Sequence, residues 1–235
     1  FRDGEEMSGL FNLSHSAWQA YARRHRCVYK LWTADEVDTL IQQAAPSWVQ
    51  KLYRDVRFPV QRADVGRFFI LYKYGGLYAD LDVFPNLEQF PQVPLGLSKR
   101  LARTKGWIWP KPEWEIELVV ATEGNEFIFK ILKDMSGAMA QKRKMEYYDD
   151  KPCRFIYNTT GPKRVAHTLQ SSGYEPQVTV FSMCRPVKFL ENHLSLADTG
   201  GVLYEQRRLR RYDVLSAFSM SYNTSIPKSP PKLAR

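Results

Sequence analysis

The sequence of 235 residues has few cysteines and no internal repeat. Its three cysteines, Cys27, Cys153 and Cys184, lie far apart and form no Cys-x-x-Cys pair, which argues against a zinc site and a full disulfide framework. Two alternatives stay open for them: one disulfide with one free thiol, or three buried thiols. No window of about 18 consecutive apolar residues occurs, so this stretch predicts no membrane span.

The N-terminus lacks a secretory signal pattern, and the chain begins with Phe1 rather than Met. We expect a trimmed fragment, from which a membrane anchor could have been removed. The sequence also lacks a recognisable nucleic-acid-binding motif, so its net charge of +9 does not predict binding to DNA or RNA. That charge predicts either a solvated surface or an anionic partner such as a phosphate.

The composition is that of a folded protein, with 44% apolar and 25% charged residues. Helix and strand patterns alternate along the chain. This alternation predicts an α/β domain with a mostly parallel central sheet and helices on both faces. We expect one domain over residues 1–225 and an extended, proline-rich tail over residues 226–235.

Local patterns place the individual elements. A possible N-cap at Ser14 and a capping box formed by Thr33 and Glu36 each predict the start of a helix. The predicted helices cover residues 14–24, 33–44, 46–53, 60–74, 126–144 and 163–171. The predicted strands cover residues 27–32, 77–83, 117–121 and 178–183.

The helix over residues 60–74 carries two charged residues of opposite sign. Asp64 and Arg67 are three residues apart, so they share one helix face. Gly75 and Gly76 then end the helix and allow the chain to reverse tightly. The spacing therefore delivers a carboxylate and a guanidinium beside the strand that follows.

That strand places acidic residues on one side. Because strand side chains alternate, Tyr78, Asp80 and Asp82 point one way and apolar residues the other. The two carboxylates would lie about 7 Å apart, twice the rise per residue, and would repel each other without a cation. Mg²⁺ and Mn²⁺ bind such carboxylates together with phosphate oxygens and water. The strand therefore predicts a site for a metal-bound polyphosphate.

This combination resembles the sugar-binding region of the DXD-containing glycosyltransferases. That family includes yeast initiating α-1,6-mannosyltransferases, inositol-phosphoceramide mannosyltransferases, vertebrate α-1,4-glycosyltransferases and bacterial capsule enzymes, and more distantly the clostridial glucosylating toxins. The close match covers about residues 61–85, and weaker likeness extends to residues 29–32 and 159–162. The resemblance implies the GT-A nucleotide-sugar-binding fold, retaining stereochemistry and a Mn²⁺ or Mg²⁺ cofactor.

The resemblance also implies roles for individual residues. Asp64 would contact donor-sugar hydroxyls, Arg67 the sugar or diphosphate, and Tyr78 the nucleoside. The implied catalytic residues are Asp64, Arg67, Asp80 and Asp82. The implied donor-binding residues are Asp64, Arg67, Gly75, Gly76, Tyr78, Asp80, Thr160 and Gly161. Asp80 and Asp82 would bind the metal.

Both ends of the chain depart from the family pattern. The family's opening strand, Ile-Pro-Lys-Ile-Ile-His-Gln-x-Trp, does not precede the first helix, so we expect that strand to be missing or replaced. The family's closing His…Ser-Trp motif is also absent, and Asn223 is expected to supply a neutral oxygen to the metal instead. The alternatives for this ligand are Ser225, His193 and Asp198.

The predicted function is metal-dependent transfer of a sugar from a UDP- or GDP-sugar to a glycan, glycolipid or polysaccharide acceptor, with an α-linkage. One alternative is a toxin-like enzyme that glycosylates a protein side chain. Another is a catalytically weakened module that binds sugar nucleotides or glycans. Glycosylation sequons at Asn12, Asn158 and Asn223 favour the Golgi lumen for a eukaryotic source, and the cytoplasm is expected otherwise.

Overall fold

The computed structural model describes residues 9–85, 87, 89–102, 111–141 and 152–182. All of them lie within the compact unit Phe1–Arg185, so the predicted domain end at residue 225 and the tail over residues 226–235 fall outside the described residues. The described helices are α1 (Gly9–Arg24), α2 (Ala34–Ala44), α3 (Ser47–Asp55), α4 (Pro59–Tyr74), α5 (Glu126–Ala140), α6 (Pro152–Thr159) and α7 (Pro162–Ser172). The described strands are β1 (Gly76–Ala79), β2 (Leu95–Ala102), β3 (Lys111–Ala121) and β4 (Thr179–Ser182).

The described strands form one mixed sheet in the order β1–β3–β2–β4. Strand β3 pairs antiparallel with both β1 and β2, whereas β2 and β4 run parallel. The predicted α/β class is confirmed, but the prediction of mostly parallel strands is wrong for the described sheet. Strand β2, which the sequence reasoning missed, joins β3 through residues 103–110 alone, and such a short connection suits an antiparallel pair.

Helices cover both faces of the sheet, as predicted. Ala79 and Leu118 are partners across β1 and β3 and lie in a hydrophobic cluster with Trp18 of α1. Tyr78 points to the opposite face, because neighbouring strand residues alternate. There the guanidinium carbon of Arg67, from α4, lies 5.0 Å from the centre of the Tyr78 ring. Helices α1 and α4 therefore enclose β1 from two sides.

Helix α4 is buried along most of its length. Its buried residues are Gln61, Asp64, Val65, Gly66, Arg67, Phe68, Phe69, Ile70 and Leu71. Residues 64–71 are all buried, so this part of the helix has no solvated face for charged residues. Asp64 and Arg67 therefore have to find their partners inside the protein.

Several local predictions are confirmed by the backbone. The capping box of Thr33 and Glu36 is present at the start of α2. Helix α4 ends at Gly75, whose φ of 63° lies in the left-handed region that favours glycine. A Cβ atom at Gly75 would also lie 2.6 Å from the Glu123 amide nitrogen, so no larger residue fits there.

Two local predictions are wrong. Residues 27–32, predicted as a strand, are irregular, and Val28 is 98% exposed. Ser14 does not cap a helix but lies inside α1, which begins earlier, at Gly9. Both patterns have the local composition of the predicted element, but extended residues become a strand only where a neighbouring strand pairs with them.

Two thiols and the membrane prediction can also be assessed. Cys27 and Cys153 are free thiols, and Cys153 is exposed, so the alternative of three buried thiols is wrong. The alternative of one disulfide with one free thiol is also wrong, because two of the three cysteines are free. Cys184 lies outside the described residues. Within the part of the chain that the structure describes, no helix has the length and apolarity needed to cross a membrane.

Candidate active site

Asp64 and Arg67 form a buried ion pair on one face of α4, as their spacing predicts. Arg67 Nη2 lies 3.3 Å from Asp64 Oδ1, and the two residues are 6% and 3% exposed. The hydroxyl of Thr160 donates a hydrogen bond of 2.8 Å to Asp64 Oδ2. Both carboxylate oxygens of Asp64 therefore have partners within the protein.

The guanidinium of Arg67 joins Asp64 to the sheet. Its Nη1 donates to Asp80 Oδ2 at 3.1 Å and to the Ile116 carbonyl at 2.8 Å. The register between β2 and β3 shifts from Leu97/Val119 to Ser98/Glu115, so residues 116–118 have no partner on β2. This bulge leaves the Ile116 carbonyl available to Arg67.

Asp80 follows β1 directly and is held from three sides. Its Oδ1 accepts a hydrogen bond of 2.9 Å from the Tyr78 hydroxyl, and its Oδ2 accepts the one from Arg67. Its backbone amide donates to the Glu117 carbonyl at 2.9 Å. The side chain nevertheless keeps 26% of its surface exposed. A carboxylate offers about four acceptor positions, so Asp80 can accept a further ligand from the solvent side.

The predicted strand over residues 77–83 is wrong beyond Ala79. Strand β1 ends there, and Asp80–Val83 form a turn that the Val83 amide closes on the Asp80 carbonyl at 3.0 Å. Strand alternation therefore does not place Asp82 on the face of Tyr78 and Asp80. A turn keeps its residues close together, so Asp80 and Asp82 remain neighbours by a different geometry.

The turn between α6 and α7 brings Thr160 to the ion pair. The amides of Thr160 and Gly161 both donate to the Ile156 carbonyl, at 3.0 and 2.9 Å. A Cβ atom at Gly161 would lie 3.0 Å from the Tyr157 Cα, so the turn is closely packed at that position. Thr160 therefore joins the network directly, while Gly161 shapes the turn that carries it.

Gly75 and Gly76 do not join this network. They lie at the opposite end of β1 from Asp80, about 13 Å away by the rise of a strand. Their conformations, with φ of 63° and 97°, serve the reversal between α4 and β1. A direct part in donor binding stays a prediction for both.

Gln61 is a member of the site that sequence reasoning missed. Its Oε1 accepts hydrogen bonds from the amides of Arg57 and Phe58, at 3.0 and 3.2 Å, and its Nε2 donates to Thr159 Oγ1 at 2.8 Å. It therefore ties the start of α4 to the end of α6, beside the Thr160–Asp64 contact. The available signal was helical spacing, since residues 61, 64 and 67 share one face.

Burial changes the ionisation of the network. It raises the pKa of Asp64 to about 7, although the charge of Arg67 and the Thr160 hydrogen bond act in the opposite direction. Burial likewise raises the pKa of Tyr78 above its ordinary value. Burial alone would lower the pKa of Arg67, but Asp80, Tyr78 and Asp64 together raise it. Arg67 therefore stays charged, while Asp64 can take up a proton near neutral pH.

Two of the predicted metal ligands, Asp80 and Asp82, lie in the turn after β1. Within the described ranges, no group of three or more His, Cys, Asp or Glu side chains is arranged to hold a metal ion. Asp80 and Asp82 supply two carboxylates, and Asp80 retains free acceptor positions. The predicted third ligand Asn223 and its alternatives Ser225, His193 and Asp198 lie outside the described residues.

The stretch that contains most of this network matches a known family. Residues 13–94 match the family described as "Glycosyltransferase sugar-binding region containing DXD motif". This segment is similar to a DXD-type sugar-binding region. The family resemblance inferred from the sequence is thereby confirmed. The region extends from α1 to the residues just before β2 and includes Asp64, Arg67, Tyr78, Asp80 and Asp82, whereas Thr160 lies outside it.

Curated proteins that are similar to parts of this chain come from two yeasts. Mannosyl phosphorylinositol ceramide synthase CSH1 of Saccharomyces cerevisiae is 42% identical over 85 residues, 32% of this chain and 22% of the relative. Inositol phosphoceramide mannosyltransferase 3 of Schizosaccharomyces pombe is 47% identical over 55 residues, 23% of this chain and 15% of the relative. Inositol phosphoceramide mannosyltransferase 1 of the same yeast is 28% identical over 135 residues, which are 56% of this chain and 37% of the relative. The matched part therefore spans less than half the length of these relatives.

Two solved structures match this chain with low similarity. PaToxG Glycosyltransferase has a TM-score of 0.41 and 13% identity, covering 72% of this chain and 64% of that one. The ligand-free glycosyltransferase domain from the YGT toxin has a TM-score of 0.42 and 8% identity, covering 74% of this chain and 56% of that one. At these scores we transfer no residue role from either structure.

Proposed function

We propose that this chain is the donor-binding part of a metal-dependent retaining glycosyltransferase of the GT-A fold. Its reaction is the transfer of a mannosyl group from a nucleotide sugar to a glycolipid of the inositol phosphoceramide type. The observation that carries the proposal is the network around Arg67, which fixes Asp80 at the end of β1 inside the matched region. The names of the yeast relatives support a glycolipid acceptor over a protein side chain.

In this proposal Asp80 and Asp82 hold Mn²⁺ or Mg²⁺. The ion, when bound, supplies positive charge to the diphosphate that leaves the sugar. The chain's own contribution is to keep the two carboxylates close together without the ion. Arg67 offsets part of their negative charge, and the Tyr78 hydroxyl fixes the orientation of the Asp80 carboxylate.

Arg67 takes a different role here from the one implied by the family resemblance. Its Nη1 and Nη2 contact Asp64, Asp80 and the Ile116 carbonyl, and the residue is only 6% exposed. These contacts support an action on the donor through Asp80 rather than direct contact with the diphosphate. Asp64, which is 3% exposed, serves as the counter-ion of Arg67, and its contact with donor hydroxyls stays a prediction.

The stereochemistry and the location of the protein are proposed from the resemblance to the family. We propose attack by the acceptor on the face from which the phosphate departs, because among the described residues no second carboxylate suited to a covalent intermediate is identified. Transfer within the Golgi lumen is consistent with the yeast relatives and the sequons. These points follow from the family and are tested only after donor binding has been measured.

The decisive experiment measures donor binding by thermal unfolding. The wild-type chain should melt at a higher temperature with Mn²⁺ and one of GDP-mannose, UDP-glucose or UDP-galactose, because a ligand at 100 times its Kd adds about 2.7 kcal/mol. Asp80→Asn and Asp82→Asn should lose this shift. Asp55→Asn is the matched control, since Asp55 is an exposed carboxylate on α3. The proposal fails if no donor shifts the wild type, or if all three variants respond alike.

A second measurement separates an enzyme from a binding module. The wild-type chain is incubated with the donor that raises its melting temperature, Mn²⁺ and inositol phosphoceramide. The glycosylated lipid is then detected by mass spectrometry. Product that depends on Asp80 and Asp82 supports the transferase. A melting shift without transfer or donor hydrolysis would favour the alternative of a weakened sugar-nucleotide-binding module.

A further inference from the structure

One face of α1 holds the chain directly after the Asp80–Val83 turn. Ser14 Oγ donates a hydrogen bond of 2.9 Å to the Val83 carbonyl, and Trp18 Nε1 donates one of 2.7 Å to the same oxygen. Ser14 and Trp18 are four residues apart, so they lie one above the other on the helix. Both are buried, at 0% and 7% exposure. The two donors use both lone pairs of the Val83 carbonyl.

The turn that contains Asp82 is therefore anchored at both ends. At its start, the Asp80 amide donates to the Glu117 carbonyl of β3. At its end, the Val83 amide donates to the Asp80 carbonyl, and the Val83 carbonyl is bound by α1. Only Leu81 and Asp82 lie between these anchors. The backbone position of Asp82 thus depends on α1, whose Ser14 and Trp18 precede Val83 by 69 and 65 residues.

We propose that Ser14 and Trp18 are positioning residues that hold the Asp80–Val83 turn in the conformation that binds a divalent cation. This inference rests on the proposed function, because it takes Asp80 and Asp82 as the ligands of that cation. The two residues act through the Val83 carbonyl. A buried carbonyl that loses its donors carries a desolvation cost, which favours rotation of the peptide toward other partners. Such a rotation displaces Asp82 relative to Asp80.

Substitutions at Ser14 and Trp18 can remove their hydrogen bonds to the Val83 carbonyl while largely keeping the packing of the side chains. Trp18 also packs against Val83 and Leu118 in a hydrophobic cluster, and this packing stabilises α1 on the sheet. Trp18→Phe keeps an aromatic ring there and removes the Nε1 donor, while Ser14→Ala removes only a hydroxyl. Each single variant leaves one donor on the Val83 carbonyl. Only the double variant leaves it without either, so the two substitutions should not be additive.

Tyr21→Phe is the matched control for this design. Tyr21 lies on the same face of α1, and its hydroxyl donates to the Gln89 carbonyl at 2.9 Å. That carbonyl lies beyond the turn. Tyr21→Phe therefore removes a hydrogen bond of the same kind from the same helix without touching the anchor of Asp82.

The test measures Mn²⁺ binding to the full chain by the loss of the free-ion EPR signal, with UDP and with GDP in separate titrations. We expect the double variant to bind Mn²⁺ about tenfold more weakly, which corresponds to ~1.4 kcal/mol. Each single variant and Tyr21→Phe should stay within about twofold, because one donor or the whole anchor remains. Hydrogen exchange should become faster over residues 81–84 of the double variant and stay unchanged in α4.

Unchanged Mn²⁺ affinity in the double variant would overturn the positioning role. So would faster exchange throughout α1, α4 and β3, because the substitutions would then act on the whole fold. A wild-type chain that binds no Mn²⁺ with either nucleotide would overturn the proposed metal site, and the positioning role with it. Wild-type binding that the double variant fully retains would overturn the positioning role alone.

Discussion

Two ion pairs in this protein each join residues about one turn apart on a helix, but their surroundings differ. Lys51 Nζ and Asp55 Oδ2 on α3 lie 2.5 Å apart, and the two side chains are 68% and 47% exposed. Arg67 Nη2 and Asp64 Oδ1 on α4 lie 3.3 Å apart, and the two side chains are 6% and 4% exposed. The shorter pair is in solvent and the longer pair is buried. Burial and additional partners, rather than distance, decide which pair matters to the structure.

The physical reason is solvation. Water screens the charges of an exposed pair, and such pairs contribute about 0–1 kcal/mol to stability. A buried charge has lost its water, so removal of its partner costs about 3–5 kcal/mol. The buried pair also connects to Thr160, Asp80 and the Ile116 carbonyl, so its loss would spread through the site.

The largest effect is expected from Arg67→Met, which keeps the length of the side chain and removes the guanidinium. Asp64 and Asp80 would then lack their shared counter-ion, and the free energy of unfolding should fall by about 3–5 kcal/mol. Urea unfolding at pH 7.5 measures this loss. A loss below about 1 kcal/mol would place the buried pair in the same class as the surface pair.

Asp64→Asn should change the pH dependence of stability. The pKa of Asp64 is raised from 3.8 to about 7 in the folded protein. The folded state therefore binds the proton more tightly than the unfolded state, and this stabilisation is complete below pH 4 and lost as the pH rises through 7. One such group contributes a slope of at most about 1.4 kcal/mol per pH unit.

The difference between wild type and Asp64→Asn isolates that slope. Urea midpoints at pH 5, 6, 7 and 8 should show the wild type losing stability with rising pH relative to the variant. Asp55→Asn, on the exposed pair, should leave the slope unchanged. Parallel curves for wild type and Asp64→Asn would contradict the raised pKa.

A smaller effect is expected from Thr160→Val, which replaces the hydroxyl with a methyl group of similar size. The variant loses a hydrogen bond to a charged group, so the free energy of unfolding should fall by about 1.5 kcal/mol. Urea unfolding measures the loss, with Thr39→Val on α2 as a control for an exposed hydroxyl. An equal loss in both variants would show that the contact with Asp64 has no special weight.

The smallest effect is expected from Lys51→Ala on the exposed pair. Because solvent screens this pair, the free energy of unfolding should change by about 0.5 kcal/mol or less. The measurement is the same urea titration, repeated at 0.5 M NaCl to suppress surface electrostatics. A loss as large as that of Arg67→Met would remove the distinction between the two pairs.

Features of the fold that depend on neighbouring residues could be predicted from the sequence. The capping box at Thr33 and the end of α4 at Gly75 are both present where local patterns place them. The shared face of Asp64 and Arg67 also follows from helical geometry. The strand predicted over residues 27–32 fails because a strand needs a partner, and among the described strands none pairs with these residues.

The composition of the site could be predicted better than its geometry. Asp64, Arg67, Tyr78 and Asp80 form one network, as the motif predicts. The position of Asp82 in a turn could not be read from alternation, because the Val83 amide bonds back to the Asp80 carbonyl and α1 binds the Val83 carbonyl. The contact of Gln61 could not be predicted, because its partner Thr159 lies 98 residues away.

By itself, the sequence determined the resemblance of one segment to a known family, the α/β class and the shared face of a carboxylate and a guanidinium on α4. These depend on spacings of a few residues, which act the same way in any surroundings. Only the tertiary structure decided that Thr160 contacts Asp64, that β3 bulges to receive Arg67, and that α1 anchors the turn of Asp82. Each of these contacts joins residues that are far apart in the chain, and a buried polar group takes whichever partner the packed fold brings within reach.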